Sequence, residues 1–165
     1  MNSNLPKTIF ITGATSGFGK ATAKLFNEKG WQTIITGRRA DRLEELAEEL
    51  GQNSLPLSFD VSDRQSVQTA VKNLPPNFNK ISVLCNNAGL ALGLEGADNA
   101  NLDDWDEMID TNIKGLVYAT RSILPLMIDN GEGHIVNLGS VAGSYPYPGG
   151  NVYGGTKAFV SQFSL

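Results

Sequence analysis

Tyr153 and Lys157 stand four residues apart in the stretch "NVYGGTKAF". On a helix that spacing puts both side chains on one face, one turn from each other. A free tyrosine ionises near pH ~10, so acid/base work around neutrality requires its pKa to fall by roughly 2 to 3 units. A neighbouring ammonium ion has the right sign to do that. The pair alone decides little, because a Tyr and a Lys often fall at this spacing without any chemistry. Ser140 and Asn112 add weight. Ser140 follows the apolar run "HIVNLG", at what would be the carboxyl edge of a strand, where ligands of α/β proteins collect. Asn112 interrupts an apolar helical stripe, where a buried amide needs hydrogen-bond partners. It fits a satisfied core amide as well as a functional one.

A second group of residues concerns a bound phosphate. "TGATSGFG" carries glycines at 13, 17 and 19 between a first strand and a first helix. In that place a glycine-rich turn aims backbone N–H groups at a pyrophosphate, although the spacing G-x-x-x-G-x-G is not the usual G-x-G-x-x-G. A tight turn with no ligand is the bland alternative. Dinucleotide sites that take NAD usually hold an acidic residue about 20 residues further on, for the ribose 2′-hydroxyl. Gly37 occupies that place here, followed by Arg38 and Arg39. Two guanidinium groups suit a 2′-phosphate, and no carboxylate at 37 repels it, so the sequence predicts NADP rather than NAD. Two surface arginines at a strand end are the alternative.

These residues need elements to hold them. Short β-branched runs recur at 8–12, 32–36, 55–59, 81–85 and 134–139, each short enough for a strand buried on both faces. Helical patterns lie between them. The first predicts Ala21, Leu25 and Phe26 on its buried face with Gly30 as its stop. The second places Leu43, Leu46, Ala47 and Leu50 inward and ends at Gly51, with its acidic run on a solvated face. A third, "SDRQSVQTAVKNL", predicts a serine cap. A long fourth pattern from 102 to 131 puts Trp105, Ile109, Asn112, Ile113, Leu116 and Val117 on one stripe, and Pro125 should kink it. Strict alternation of strand and helix predicts an α/β fold, a doubly wound parallel sheet in the order 3-2-1-4-5, with residues 1–165 forming a single domain.

The totals exclude several classes. A net charge of −4 and a pI near 4.9 argue against a nucleic-acid surface, which depends on clustered Lys and Arg. Cys85, the single cysteine, permits no internal disulfide and falls in an apolar run that predicts a buried strand position. No metal-ligand cluster is apparent, and His134, the sole histidine, begins a strand and reads as structural. No stretch is apolar enough to span a membrane, and "MNSNLPKTIFITGA" lacks the features of a secretory leader, so a cytoplasmic protein is expected.

In order and spacing, "TGATSGFG", "DV" at 60–61, "NNAG" at 86–89, Asn112, Ser140 and the YxxxK at 153–157 resemble the short-chain dehydrogenase/reductase family. Within it, "TGRRADRLEEL", "NNAGLALGLE" and "GSYPYPGGNVYGGTKAF" look like the NADP-dependent 3-hydroxy acid dehydrogenases, which are similar to serine and allo-threonine dehydrogenases and to malonic semialdehyde reductases. The resemblance implies a Rossmann-like fold and an oxidoreductase using NADP on a small hydroxy acid. By the same resemblance, Tyr153 is the general acid/base and Lys157 lowers its pKa and binds the nicotinamide ribose. Ser140 holds the substrate carbonyl together with Tyr153, and Asn112 anchors a water that relays protons through Lys157. Gly13, Ala14, Thr15, Ser16, Gly17, Phe18 and Gly19 cradle the pyrophosphate, Arg38 and Arg39 the 2′-phosphate, Asp60 and Val61 the adenine, and Asn87 the adenosine ribose.

Members of that family run longer, usually as homo-oligomers. The resemblance therefore predicts that a sixth and a seventh strand are missing, that the chain stops inside the Tyr153 helix, and that the fifth strand is left as an open edge. A chain of 165 residues alone is expected to be marginally stable and weakly active or inactive. Another alcohol, sugar or steroid as substrate, or a non-catalytic dinucleotide binder, are the competing readings.

Overall fold

A computed structural model describes residues 7–165; the opening residues of the stretch considered for a leader lie outside the described residues. Five parallel strands form one sheet: β1 (Thr8–Ile11), β2 (Gln32–Gly37), β3 (Ser54–Ser58), β4 (Ile81–Asn86) and β5 (His134–Asn137). Their order is β3-β2-β1-β4-β5, as the alternation predicts. β1 lies at the centre, pairing Phe10 with Ile34 on one side and with Leu84 on the other.

Successive residues of a strand point to opposite faces, and the core divides accordingly. On one face Ile9, Ile11, Ile35 and Cys85 pack with Ala23 of α1 (Gly17–Glu28) and with Leu43 and Leu46 of α2 (Ala40–Leu50). On the other, Phe10, Ile34 and Leu84 pack with Val71 of α3 (Arg64–Lys72) and with Ile123 and Met127 of α5 (Leu116–Asn130). Burial pushes the Cys85 thiol pKa up, as suits a core position. Between α3 and α5 lie β4 and α4 (Leu102–Ile109), and α6 (Asn151–Phe163) follows β5.

Two local expectations need correction. The inward face of α1 is Gly19, Ala23 and Phe26, while Ala21 and Leu25 are exposed. Small residues at 19 and 23 let α1 approach the sheet closely, which the apolar pattern alone did not reveal. Asp63 rather than Ser62 caps α3, its carboxylate accepting from Gln65 N–H at 3.0 Å; a charged acceptor at a helix N-terminus is the stronger cap. Ser62 instead donates to Asp60 Oδ1 from both its hydroxyl and its backbone N–H. Pro125 lies inside α5, which continues to Asn130, and the carbonyl that its ring leaves without a donor belongs to exposed Arg121.

The long fourth pattern is not one regular helix. Between α4 and α5 the chain makes a π-helical turn, Asp110–Gly115, one residue wider than an α-helical turn. It carries Asn112. Gly115 closes the turn against Val61, where a Cβ would sit 2.8 Å from Val61 Cγ1, so this contact requires glycine. The Trp105, Ile109, Ile113 and Val117 row is only half-buried, and the deeper positions are Met108, Asn112, Leu116 and Ala119.

Candidate active site

The carboxyl ends of β1, β2 and β4 open onto a cavity of about 900 Å³, within the range of sites that hold cofactors. The loop after β1 forms one wall. Gly13 takes φ +69°, and a Cβ there would lie 2.9 Å from Ala88 Cα. The Asn87 side chain donates to the carbonyls of Thr12 and Gly13 at 2.8 and 2.9 Å, while Thr12 Oγ1 accepts the N–H groups of Asn87 and Ala88 at 3.1 and 3.0 Å. Gly19, at the start of α1, has no room for a side chain between Gly13 O and Asn87 Nδ2. The two loops are thus locked together before any ligand arrives.

The two arginines after β2 reach the same cavity in different ways. Arg39 Nη2 donates to Thr15 Oγ1 at 2.6 Å and to Ser16 Oγ at 3.3 Å. Arg38 Nη1 donates to Glu107 Oε1 of α4 at 3.2 Å and lies 3.9 Å from Asp60 Oδ2. Gly37 packs against Thr15, with 2.9 Å between a hypothetical Cβ and Thr15 Cγ2.

Tyr153 and Lys157 line the cavity from α6, one turn apart as their spacing requires. Lys157 is buried, its Nζ donating to Leu138 O at 2.7 Å and lying 5.9 Å from the Tyr153 ring centre. Burial holds the Lys157 pKa below the ordinary lysine value. Asn112 stands behind the cavity wall. Its Oδ1 accepts from Leu90 N–H at 2.9 Å, and its Nδ2 donates to Leu90 O at 2.9 Å and to Thr156 Oγ1 at 3.0 Å. Thr156 in turn donates to the Tyr153 carbonyl at 2.8 Å. The π turn is thereby tied to the helix that carries the tyrosine. A Cβ on Gly89 would lie 3.2 Å from Asn112 Oδ1 and 3.6 Å from Lys157 Nζ, so this residue packs closely against both groups.

Ser140 caps the short 3-10 turn Val141–Gly143, its Oγ accepting from Ala142 N–H at 3.2 Å. A hydroxyl whose oxygen is occupied as acceptor still has its proton to donate.

Of the residues singled out in the sequence, Gly13, Thr15, Ser16, Gly17, Phe18, Arg38, Arg39, Asp60, Val61, Asn87, Tyr153 and Lys157 all line the cavity. Ala14 and Gly19 are buried behind the loop, and Asn112 and Ser140 stand beside the cavity without lining it. Sequence reasoning missed Thr12, Glu107 and Thr156. Thr156, between the tyrosine and the lysine, could have been found as a hydroxyl on the inner face of α6; Glu107, 69 residues from Arg38, leaves no local signal.

The cavity suits a dinucleotide on the evidence of its own atoms: a glycine-walled loop, cations beside it, and a tyrosine with a buried lysine. Comparison with known proteins agrees. A relative from Haemophilus influenzae called "Probable NADP-dependent dehydrogenase" is 58% identical over 158 residues, covering 96% of this chain and 63% of that protein. The Agrobacterium fabrum "Serine 3-dehydrogenase" is 56% identical with the same coverage of both chains. Among solved structures, serine dehydrogenase from Escherichia coli superposes with a TM-score of 0.94 at 52% identity, over 96% of this chain and 73% of that one. The closed form of serine dehydrogenase complexed with NADP+ also gives 0.94 at 52% identity, over 96% and 64%. The chain thus spans about 63% of the length of the curated relatives it matches. Its residues 7–165 match the short chain dehydrogenase family throughout, and the chain belongs to that family.

Proposed function

We propose that the chain is an NADP-dependent oxidoreductase that moves a hydride between NADP(H) and the hydroxyl- or carbonyl-bearing carbon of a small 3-hydroxy acid of the serine, allo-threonine or 3-hydroxypropionate type. One observation carries the reading: Arg38 and Arg39 share a single cavity with Tyr153 and Lys157. The cations suit a 2′-phosphate, and the tyrosine and lysine suit proton transfer at a carbonyl oxygen. The relative named "Serine 3-dehydrogenase" supports the substrate class.

The nicotinamide, when bound, supplies or accepts the hydride. The protein handles binding and protons. The backbone of Gly13 to Gly19 would hold the pyrophosphate, Asp60 and Val61 the adenine, and Asn87 the adenosine ribose. Ser140, with its hydroxyl proton free, donates to the substrate oxygen. Tyr153 gives that oxygen a proton during reduction and takes it back during oxidation. Lys157, as an ammonium ion, favours the phenolate and holds the nicotinamide ribose. Asn112 would anchor a water that relays protons through Lys157.

The experiment is to supply the chain with NADP+ and, in parallel, 3-hydroxypropionate, serine, allo-threonine, a sugar alcohol and a hydroxysteroid, and to follow NADPH formation. Slow NADPH formation is expected with the small acids. Formation only with alcohols lacking a carboxylate overturns the substrate class, and a rate that Tyr153→Phe leaves unchanged overturns the catalytic reading.

A further inference from the structure

The two arginines at the cavity are not electrically equivalent. Arg39 bonds two neutral hydroxyls, and among the described residues no carboxylate pairs with it. Arg38 is shared between two carboxylates, Glu107 at 3.2 Å and Asp60 at 3.9 Å. The four side chains together carry no net charge, so a dianionic 2′-phosphate meets a neutral cluster rather than a positive one. The Arg38 and Glu107 side chains are 59% and 43% exposed. An ion pair that exposed is weak and is readily exchanged for a better partner. A phosphate offers Arg38 a stronger, bidentate contact.

Resting on the NADP reading above, we propose that Glu107 is a built-in competitor for Arg38: it occupies the guanidinium in the free protein, the 2′-phosphate must displace it, and this exchange sets the affinity for NADP(H) and its margin over NAD(H). The competitor belongs to α4, which runs directly into the π turn bearing Asn112. Adenine-end binding and the placement of the proton-relay residue therefore share one continuous segment of chain.

The test compares wild type, Glu107→Gln, Arg38→Ala and the double variant, titrated with NADPH, NADH and the probe 2′,5′-ADP beside 5′-ADP. Glu107→Gln is expected to bind NADPH and 2′,5′-ADP about three- to tenfold more tightly, as removal of one screened like charge and replacement of a charged acceptor by a neutral one suggest. NADH and 5′-ADP should change by less than about twofold. In the Arg38→Ala background the gain should largely vanish, since there is no guanidinium left to release. Glu107→Ala serves as a second variant with the same expected direction. Unchanged or weaker NADPH binding by both Glu107 variants overturns the proposal, as does a gain that persists undiminished without Arg38. Wild type that prefers NADPH no more than NADH overturns the cofactor reading itself, and this proposal with it.

Discussion

Tyr153→Phe is expected to lower the rate of hydride transfer by about 10²- to 10⁴-fold, the usual loss when a positioned acid/base group is removed. NADPH affinity should shift by less than about threefold. The contrast follows from the geometry. Tyr153 is fastened to the fold through its backbone carbonyl, which accepts from Thr156 Oγ1, while its ring lies in the cavity wall. Deleting the hydroxyl therefore removes the proposed proton donor and leaves the helix, Lys157 and the cavity in place. Single-turnover measurement of NADPH consumption, with Kd determined separately, checks both halves. A variant that retains more than about a tenth of the rate shows that another group moves the proton.

The second large effect is expected on the other side of the cavity. Gly13→Val places a β-branched side chain at φ +69°, with its Cβ 2.9 Å from the backbone of Ala88. Left-handed backbone costs about 1–2 kcal/mol for such a residue, and overpacking against a backbone atom about 1–3 kcal/mol more. The sum, roughly 2–5 kcal/mol, corresponds to a fall in Tm of about 5–15 °C for a chain of this size. Asn87 must also move, because its side chain bonds the Thr12 and Gly13 carbonyls. NADPH binding should then be lost together with stability. Gly17→Ala is the control: Gly17 has φ +53° but nothing within 4 Å of a Cβ, so only the backbone cost of about 1–2 kcal/mol applies. Thermal melts that rank the two variants alike contradict the account of the loop.

Much of this was legible from the residues. The five β-branched runs became five strands within one or two positions of their ends, because each is bounded by glycines, prolines or polar turns; β1 and β2 are buried on both faces, while β5 at the sheet edge is partly exposed. Alternation with helices fixed the parallel order. The glycine turn, Arg38 and Arg39, and the spacing of Tyr153 and Lys157 pointed to residues that share one cavity, while Asp60, Val61 and Asn87 came only from the family resemblance.

The rest was hidden for physical reasons. The π turn at Asp110–Gly115 has no composition of its own; it exists because Asn112 finds Leu90 and Thr156, partners 22 and 44 residues away. The inward face of α1 was misjudged because close packing there selects small residues, Gly19 and Ala23, over the larger Leu25. Asp63 outcompeted Ser62 as a cap because Ser62 was already engaged with Asp60. The pairing of Arg38 with Glu107 spans α2, β3, α3 and β4, and no local pattern encodes it.

The central claim is that this cavity recognises NADP through the arginines after β2. The most direct measurement is a titration of the chain with NADPH and with NADH, repeated on Arg38→Ala. The account predicts clear preference for NADPH in wild type and its loss in the variant, with NADH binding unchanged. Equal affinity for the two cofactors in folded wild-type protein, or a preference that survives the substitution, contradicts it.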